Sequence, residues 1–473
     1  MRPSRLVLFA AAVLAGSGVV AGSTSAPTAA AAPASATSTM VRLHPIASRV
    51  ARVSAAPLTT AQCERQFHIA CYGPAQLREA YHLGPLFAAG DQGQGQTIAI
   101  VDSFGSPTIE NDLHVFDRTY GLPDPTLTVV QPAGPVPPYD SSVDRIGWAG
   151  ETSLDVEWAH VIAPRANILL VETPTSEQEG TSGFPEIVTA EKYVVDHHLA
   201  SVISQSFGAT EQTFPDRGSL LALRGAYVDA YLNGVTVLGA SGDTGASDGT
   251  VDSRLSTDRV TSWPSTDPLV TSVGGTQLHL DANGDRTAPD TVWNDTFDTA
   301  TQEYITGGDG PNALATGGGR SSVFGRPFYQ LPVTAVVGDR RGVPDIAMSA
   351  ACDGAVNVYQ SVPGVPEGWY PTCGTSEATP LFAGIVALAA QRAGHPLGLL
   401  NPALYFMSLA HQPGLVDVTS GDNTVAFTQD GAPHTVRGFA ARPGYDLVSG
   451  VGTIDAALFV PSLAFWASHL VRR

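Results

Sequence analysis

One run of residues in this chain has the make-up of a nucleophile: Gly374-Thr375-Ser376-Glu377-Ala378-Thr379-Pro380, followed at once by the apolar stretch 381–390. A proline suits the first turn of a helix, where its missing N–H is not needed. That places Ser376 just before, or within, the opening turn of a buried helix. The small residues ahead of it leave room for a substrate carbonyl. The neighbouring backbone N–H groups sit at the positive end of the helix dipole, where a developing oxyanion is stabilised. The same run also suits an ordinary serine cap on a core helix.

A second run, Gly150-Glu151-Thr152-Ser153-Leu154-Asp155, continues to Pro164 with Leu154, Trp158 and Val161 at helical spacing. Glu151 and Asp155 are i and i+4, so they share a helix face. Two carboxylates held together push one pKa upward, and such a pair can share a proton, one acting as base while the other orients it. The bland alternative is a solvated acidic face. His160 lies nine residues after Glu151 and falls on roughly the opposite side of the helix. A third run, Leu238-Gly239-Ala240-Ser241-Gly242-Asp243, puts an acid at the C-terminal end of an apolar strand, where α/β folds place their sites. Its bland alternative is an Asp-containing turn.

The elements that must carry these groups are strands alternating with helices. Thr97–Val101 is a β-branched run bounded by glycines, and Val202-Ile203, Val235–Leu238 and Leu269–Val273 repeat the pattern. Glu186–His198 and Gly218–Asn233 read as helices between them, and Gln76–Tyr81 as a short helix. Alternation of this kind predicts βαβ units and a mostly parallel sheet covered on both faces. The expectation is an α/β fold in one large domain. The 473 residues, 43% of them hydrophobic, are enough for that core. A formal net charge of −19 argues against nucleic acid or an anionic membrane as partner.

Arg2 and Arg5 followed by the apolar residues 6–20 and an alanine-rich tract at 29–36 read as an export signal over residues 1–33. Residues 34–70 read as a low-complexity leader or short pro-segment, too short for a folded pro-domain, and the folded domain is expected over 71–473. The mature chain is expected to be secreted, extracellular and monomeric, with no membrane span. Four cysteines allow three pairings, and 63–71 with 352–373 is favoured over the others. No CxxC spacing suggests zinc.

Taken together and in order, Glu151 with Asp155, Ser241-Gly242-Asp243 and Gly374-Thr375-Ser376 with Pro380 resemble the sedolisin family, the serine-carboxyl peptidases. The resemblance continues through Ser206-Phe207-Gly208, Val273-Gly274-Gly275-Thr276, Gly317-Gly318-Gly319-Arg320-Ser321 and Arg341-Gly342-Val343-Pro344-Asp345, and covers roughly residues 72–460. It implies a subtilisin-like fold and peptide-bond cleavage in acid, with protein or peptide substrates. It also implies Ser376 as nucleophile, Glu151 as general base, Asp155 orienting Glu151, and Asp243 as the oxyanion donor beside the Ser376 N–H. Asp102, ending a strand like the one that carries the catalytic Asp of ordinary subtilisins, stays outside that set.

The stretches Leu415–Gly421 and Arg442–Thr453 resemble the family's calcium site. The resemblance implies one structural Ca²⁺ on the carboxylates of Asp417 and Asp446 and the carbonyls of Val418 and Gly444. Arg442 stands where the family often has glycine. Two other readings compete: a Ser-His-Asp protease, against which no His-Gly-Thr-His stretch occurs, and a non-catalytic binding module of the same fold, against which all four catalytic candidates are present. A His-Glu-x-x-His zinc peptidase motif is absent.

Overall fold

The strand runs read from the sequence are buried almost throughout, and their side chains alternate between two cores. In Thr97–Ser103 (β3), Ile98 and Ile100 join one core cluster while Ala99 and Val101 join another. Successive side chains of a strand point to opposite faces, so one strand feeds two cores. The computed structural model describes residues 48–49, 54–296 and 313–470, all within a compact unit beginning at Val41. The expected signal segment lies outside the described residues.

Two short strands precede β3: Ser48–Arg49 (β1) and Cys71–Tyr72 (β2). After it come Leu127–Val130 (β4), Asn167–Thr173 (β5), Val202–Gln205 (β6), Thr236–Ala240 (β7), Thr271–Gln277 (β8), Thr291–Val292 (β9) and Ile346–Ser349 (β10). The central sheet runs β9-β8-β7-β6-β3-β5-β4, with β10 also pairing β8. Every pair is parallel except β8 with β9. Helix Phe184–Asp196 packs in the cluster with Ala99 and Val101, whereas Val143–Ile162 and Thr375–Ala393 pack in the cluster with Ile98 and Ile100. The mostly parallel sheet covered on both faces is as expected.

A second sheet, β1-β12-β11-β2, uses Ala355–Gln360 (β11) and Gly368–Cys373 (β12). Strand β12 runs directly into the helix that carries Ser376. Both expected disulfides are present: Cys63–Cys71 and Cys352–Cys373. The second ties the end of β12 to the segment after β10.

Three boundaries differ from expectation. The leader read over 34–70 is ordered in part. Thr60–Phe67 forms a helix closed by a Thr59/Gln62 capping box, and Asn357 fixes Leu58 through hydrogen bonds in both directions. The single helix read over 218–233 is two, Arg217–Ala222 and Gly225–Asn233. At the break, Arg224 is held by Asp267 through Nε and Nη2 at 2.5 and 2.8 Å. Finally, Pro380 lies in the second turn of its helix, not the first. The carbonyl of Ser376, four residues earlier, therefore has no helical N–H partner, and the Ser206 hydroxyl stands 3.5 Å from it instead.

The Arg341–Asp345 motif is a fully buried ion pair, with Nη1–Oδ1 at 2.6 Å and Nη2–Oδ2 at 2.5 Å. The Tyr405 hydroxyl and the Ser272 N–H also donate to Asp345, each at 2.8 Å. Removing one partner from such a pair typically costs about 3–5 kcal/mol, because the other charge stays buried.

Candidate active site

Ser376 is the second residue of the helix Thr375–Ala393, which begins after Gly374 at φ 132°, a conformation that favours glycine. The side chain is fully buried, and its Oγ makes no hydrogen bond. The acidic helix Val143–Ile162 packs against this one through Gly384. A Cβ there would stand 2.5 Å from the Cβ of Ile162 and 3.2 Å from the Ala159 carbonyl. Gly384 is eight residues beyond Ser376, and Ala159 eight beyond Glu151, so equal lengths of helix separate each group from this contact.

Glu151 and Asp155 are both buried, not solvated as a surface helix face would be. Burial drives the Asp155 pKa well above the ordinary carboxylate range, and the charges of Glu151 and Asp102 push it further. The neighbouring Ser206 hydroxyl opposes that shift. Ser206 thus stands by both helices, near Asp155 and 3.5 Å from the Ser376 carbonyl. The sequence marked it only as part of a Ser-Phe-Gly run.

Asp102, the penultimate residue of β3, is fully buried. Desolvation raises its pKa to about 7, and the charge of Glu172 adds to the rise. It is a third buried carboxyl, and its charge acts on Asp155. His160 is turned away from all of these. Its Nε2 lies 2.8 Å from the Pro123 carbonyl and 3.3 Å from Asp117, and burial lowers its pKa to about 4. The sequence expectation that it does not partner Glu151 holds.

Asp243 follows β7 by three residues. Its Oδ1 accepts from both the N–H and the hydroxyl of Thr375, each at 2.8 Å, and Thr375 immediately precedes Ser376. The other oxygen, Oδ2, is buried without a partner. Burial raises the Asp243 pKa well above its ordinary value against the two Thr375 hydrogen bonds, with a smaller upward push from Asp248. The Gly-rich run closes over this loop. The Gly317 N–H donates to the Gly242 carbonyl at 2.7 Å, and a Cβ at Gly317 would lie 2.0 Å from the Ser241 carbonyl. Glu377, which sequence reasoning passed over, is also buried and its pKa raised by desolvation.

The C-terminal loops meet as well. The Gly444 N–H donates to Asp417 Oδ2 at 2.8 Å. Asp446 Oδ2 accepts from the Arg442 N–H at 2.9 Å, and its Oδ1 accepts from Ser449 and Val448. Among the described residues, no three His, Cys, Asp or Glu side chains cluster as a metal cage. A cation here would depend on carbonyls. Those of Val418 and Gly444 accept no backbone N–H among the described residues. Two carboxylates with free carbonyls are hard oxygen donors, which fits Ca²⁺.

The subtilase family model matches residues 147–404. Kumamolisin of Bacillus sp. (strain MN-32) is 33% identical over 81% of this chain and 62% of its own length. Tripeptidyl-peptidase sed4 of Aspergillus fumigatus is 27% identical over 81% of this chain and 65% of its own. The chain thus spans less than two thirds of the length of these curated relatives. Pseudomonas sedolisin, a serine-carboxyl proteinase solved with two molecules of pseudo-iodotyrostatin, superposes with a TM-score of 0.67 at 25% identity, over 85% of this chain and 99% of that one. With the subtilisin-like sheet and helices already described, these likenesses establish that the chain belongs to the subtilase family and, within it, to the sedolisins.

Proposed function

We propose that this protein is a secreted peptidase that hydrolyses peptide bonds in proteins at acidic pH. The observation that carries the reading is Asp243. One of its carboxyl oxygens is fixed by the residue next to Ser376, while the other is buried and unbonded. A carboxyl held in that state is protonated in acid and can donate to an oxyanion. Ser376 Oγ attacks the scissile carbonyl and passes its proton to Glu151. Asp155, kept protonated by burial, donates to Glu151 and holds it in place. Asp243 and the Ser376 N–H stabilise the tetrahedral oxyanion. Glu151 returns the proton to the leaving amine, and water attacks the resulting acyl-enzyme by the same route. Among the described residues, no helix is long and apolar enough to cross a membrane.

The pH dependence follows from these protonation states. Asp243 works only protonated, so its contribution is present below its raised pKa and is lost as pH rises through it. Glu151 works only ionised, so the rate also falls in strong acid. Stability moves the same way on the alkaline side. The buried carboxyls of Asp155, Glu157, Glu191, Asp243 and Glu377 all have raised pKa values, chiefly through desolvation. The folded state binds more protons than the unfolded one, so their contribution is full in acid and declines as pH rises. A pH–rate profile on a denatured protein substrate is expected to peak in acid and fall towards neutrality, with melting temperatures recorded at each pH to separate loss of the donor from unfolding. A full rate sustained from acid up to the alkaline limit of the folded state would refute the scheme.

We also propose that Asp417, Asp446 and the carbonyls of Val418 and Gly444 hold one structural Ca²⁺. Bound at a hundred times its Kd, such an ion stabilises the fold by about 2.7 kcal/mol. A chelator is expected to lower the melting temperature of the native protein by several degrees and to leave Asp417→Ala unaffected. Equal melting temperatures with calcium and with chelator would remove calcium from the account.

A further inference from the structure

Along the free edge of β12 the chain lays two of its own residues. Ser48 pairs with Cys373 and Arg49 with Thr372, antiparallel. Cys373 is three residues before Ser376, so this is peptide backbone bonded to the strand that delivers the nucleophile. The Arg49 side chain fills a hollow beside the catalytic helix. Its Nη2 donates to Gln360 Oε1, and its guanidinium lies 4.8 Å from the centre of the Tyr370 ring. A Cβ on Gly150 would stand 2.6 Å from the same Nη2, so the hollow exists because residue 150, next to Glu151, is glycine. Among the described residues, no carboxylate pairs with Arg49. A neutral amide and an aromatic face hold it, which is how proteins recognise a guanidinium without an ion pair.

The direction of pairing says which part of a substrate would lie there. Strand β12 runs towards Ser376, so residues of an antiparallel partner step away from the nucleophile as they run to their C-terminus. A peptide bonded to this edge presents for cleavage a bond N-terminal to the residue opposite Cys373. The arginine then lies on the leaving-amine side. Ser54 also pairs with this strand, its N–H and carbonyl bonding Trp369 at 3.0 and 2.9 Å.

We propose that the β12 edge and the hollow between Gly150, Gln360 and Tyr370 form a substrate subsite for an arginine on the leaving-amine side of the cleaved bond, filled in the free chain by Ser48–Arg49. The assignment rests on the peptidase reading. It is strand addition, with main-chain bonds supplying affinity and the side-chain hollow supplying selectivity. Self-occupancy lowers the apparent affinity for any peptide by the fraction of chains with the edge free.

Binding and digestion test it separately. The full-length Ser376→Ala protein, with and without Arg49→Ala, is titrated with a labelled alanine-rich peptide carrying a single arginine and with its Arg→Ala counterpart. With Arg49 removed, the arginine peptide is expected to bind about tenfold more tightly than its counterpart, the scale of one hydrogen-bonded charge. Adding Gln360→Ala is expected to abolish that difference, and restoring Arg49 to weaken both peptides. Equal binding of the two peptides by the Arg49→Ala protein, shown to be folded by its melting temperature, overturns the proposal. In the second arm, full-length Arg49→Ala enzyme digests a denatured protein, and the new N-termini are read by mass spectrometry. Arginine is expected to be enriched within the first few residues after the cut, and its absence there overturns the assignment. Arginine-selective binding without hydrolysis at any pH would sustain the subsite and refute the peptidase reading, whereas hydrolysis without arginine selectivity would do the reverse.

Discussion

Replacing Ser376 with alanine is expected to lower kcat for peptide hydrolysis about 10⁶-fold, the scale seen when a serine nucleophile is removed from a working triad. The fold should not suffer. Ser376 Oγ is buried and makes no hydrogen bond, so deleting it removes a polar atom that water would otherwise solvate. Losing an unsatisfied buried hydroxyl is neutral or stabilising, because its desolvation cost disappears with it. The melting temperature of Ser376→Ala should therefore equal or exceed that of the native chain. The two measurements together separate the roles a serine at a helix start can play. A capping serine would cost roughly 1 kcal/mol of stability and leave activity in place. A nucleophile costs all of the activity and none of the stability. Residual hydrolysis at a tenth of the native rate in acid would show that Ser376 is not the attacking group.

Much of this site was legible because its parts are local. The i, i+4 spacing of Glu151 and Asp155 fixes a shared helix face whatever the tertiary structure, and burial of that face turns an ordinary acidic pair into one with a displaced pKa. Asp243 was readable because an apolar strand ends just before it. The two-faced strands were readable from their β-branched runs. What could not be read depends on sheet register and on long-range packing. Ser206 reaches the Ser376 carbonyl, close to Asp155, only because β6 lies beside β3 and the helix carrying Ser376 packs on both. The partial order of the leader came from contacts with β11 and β12, some 300 residues away, through Asn357 and Thr372. Composition alone favours disorder there, and one arginine among three, Arg42, Arg49 and Arg52, carries no signal of a pocket. Pro380 was misplaced by one turn because a proline ordinarily opens a helix. Here its missing N–H instead frees the Ser376 carbonyl for Ser206, a local exception tolerated next to the site.

Asp243 gives the sharpest separation between a donor that must be protonated and one that need only be polar. In Asp243→Asn, the amide oxygen can keep both Thr375 hydrogen bonds, and the NH₂ takes the place of the unbonded Oδ2. That NH₂ donates at every pH. The variant is therefore expected to retain hydrolysis in acid and to lose the alkaline fall, its rate persisting towards neutral pH until another group titrates or the fold fails. Asp243→Ala removes the donor and also strands the N–H and hydroxyl of Thr375. It should lose about 10²–10³ in kcat, the measured worth of one oxyanion-hole donor, and some stability besides. Burial raises the Asp243 pKa, so the native enzyme has its donor in acid and forfeits it on the way to neutrality. If the alkaline limb of the pH–rate profile stays where it was in a folded Asp243→Asn protein, another group sets that limb, and the raised pKa of Asp155 becomes the next candidate. If Asp243→Asn is as inactive as Asp243→Ala while melting at the native temperature, the oxyanion assignment fails. The contacts to Thr375 would then be the whole of what Asp243 does, holding the start of the Ser376 helix against the end of β7.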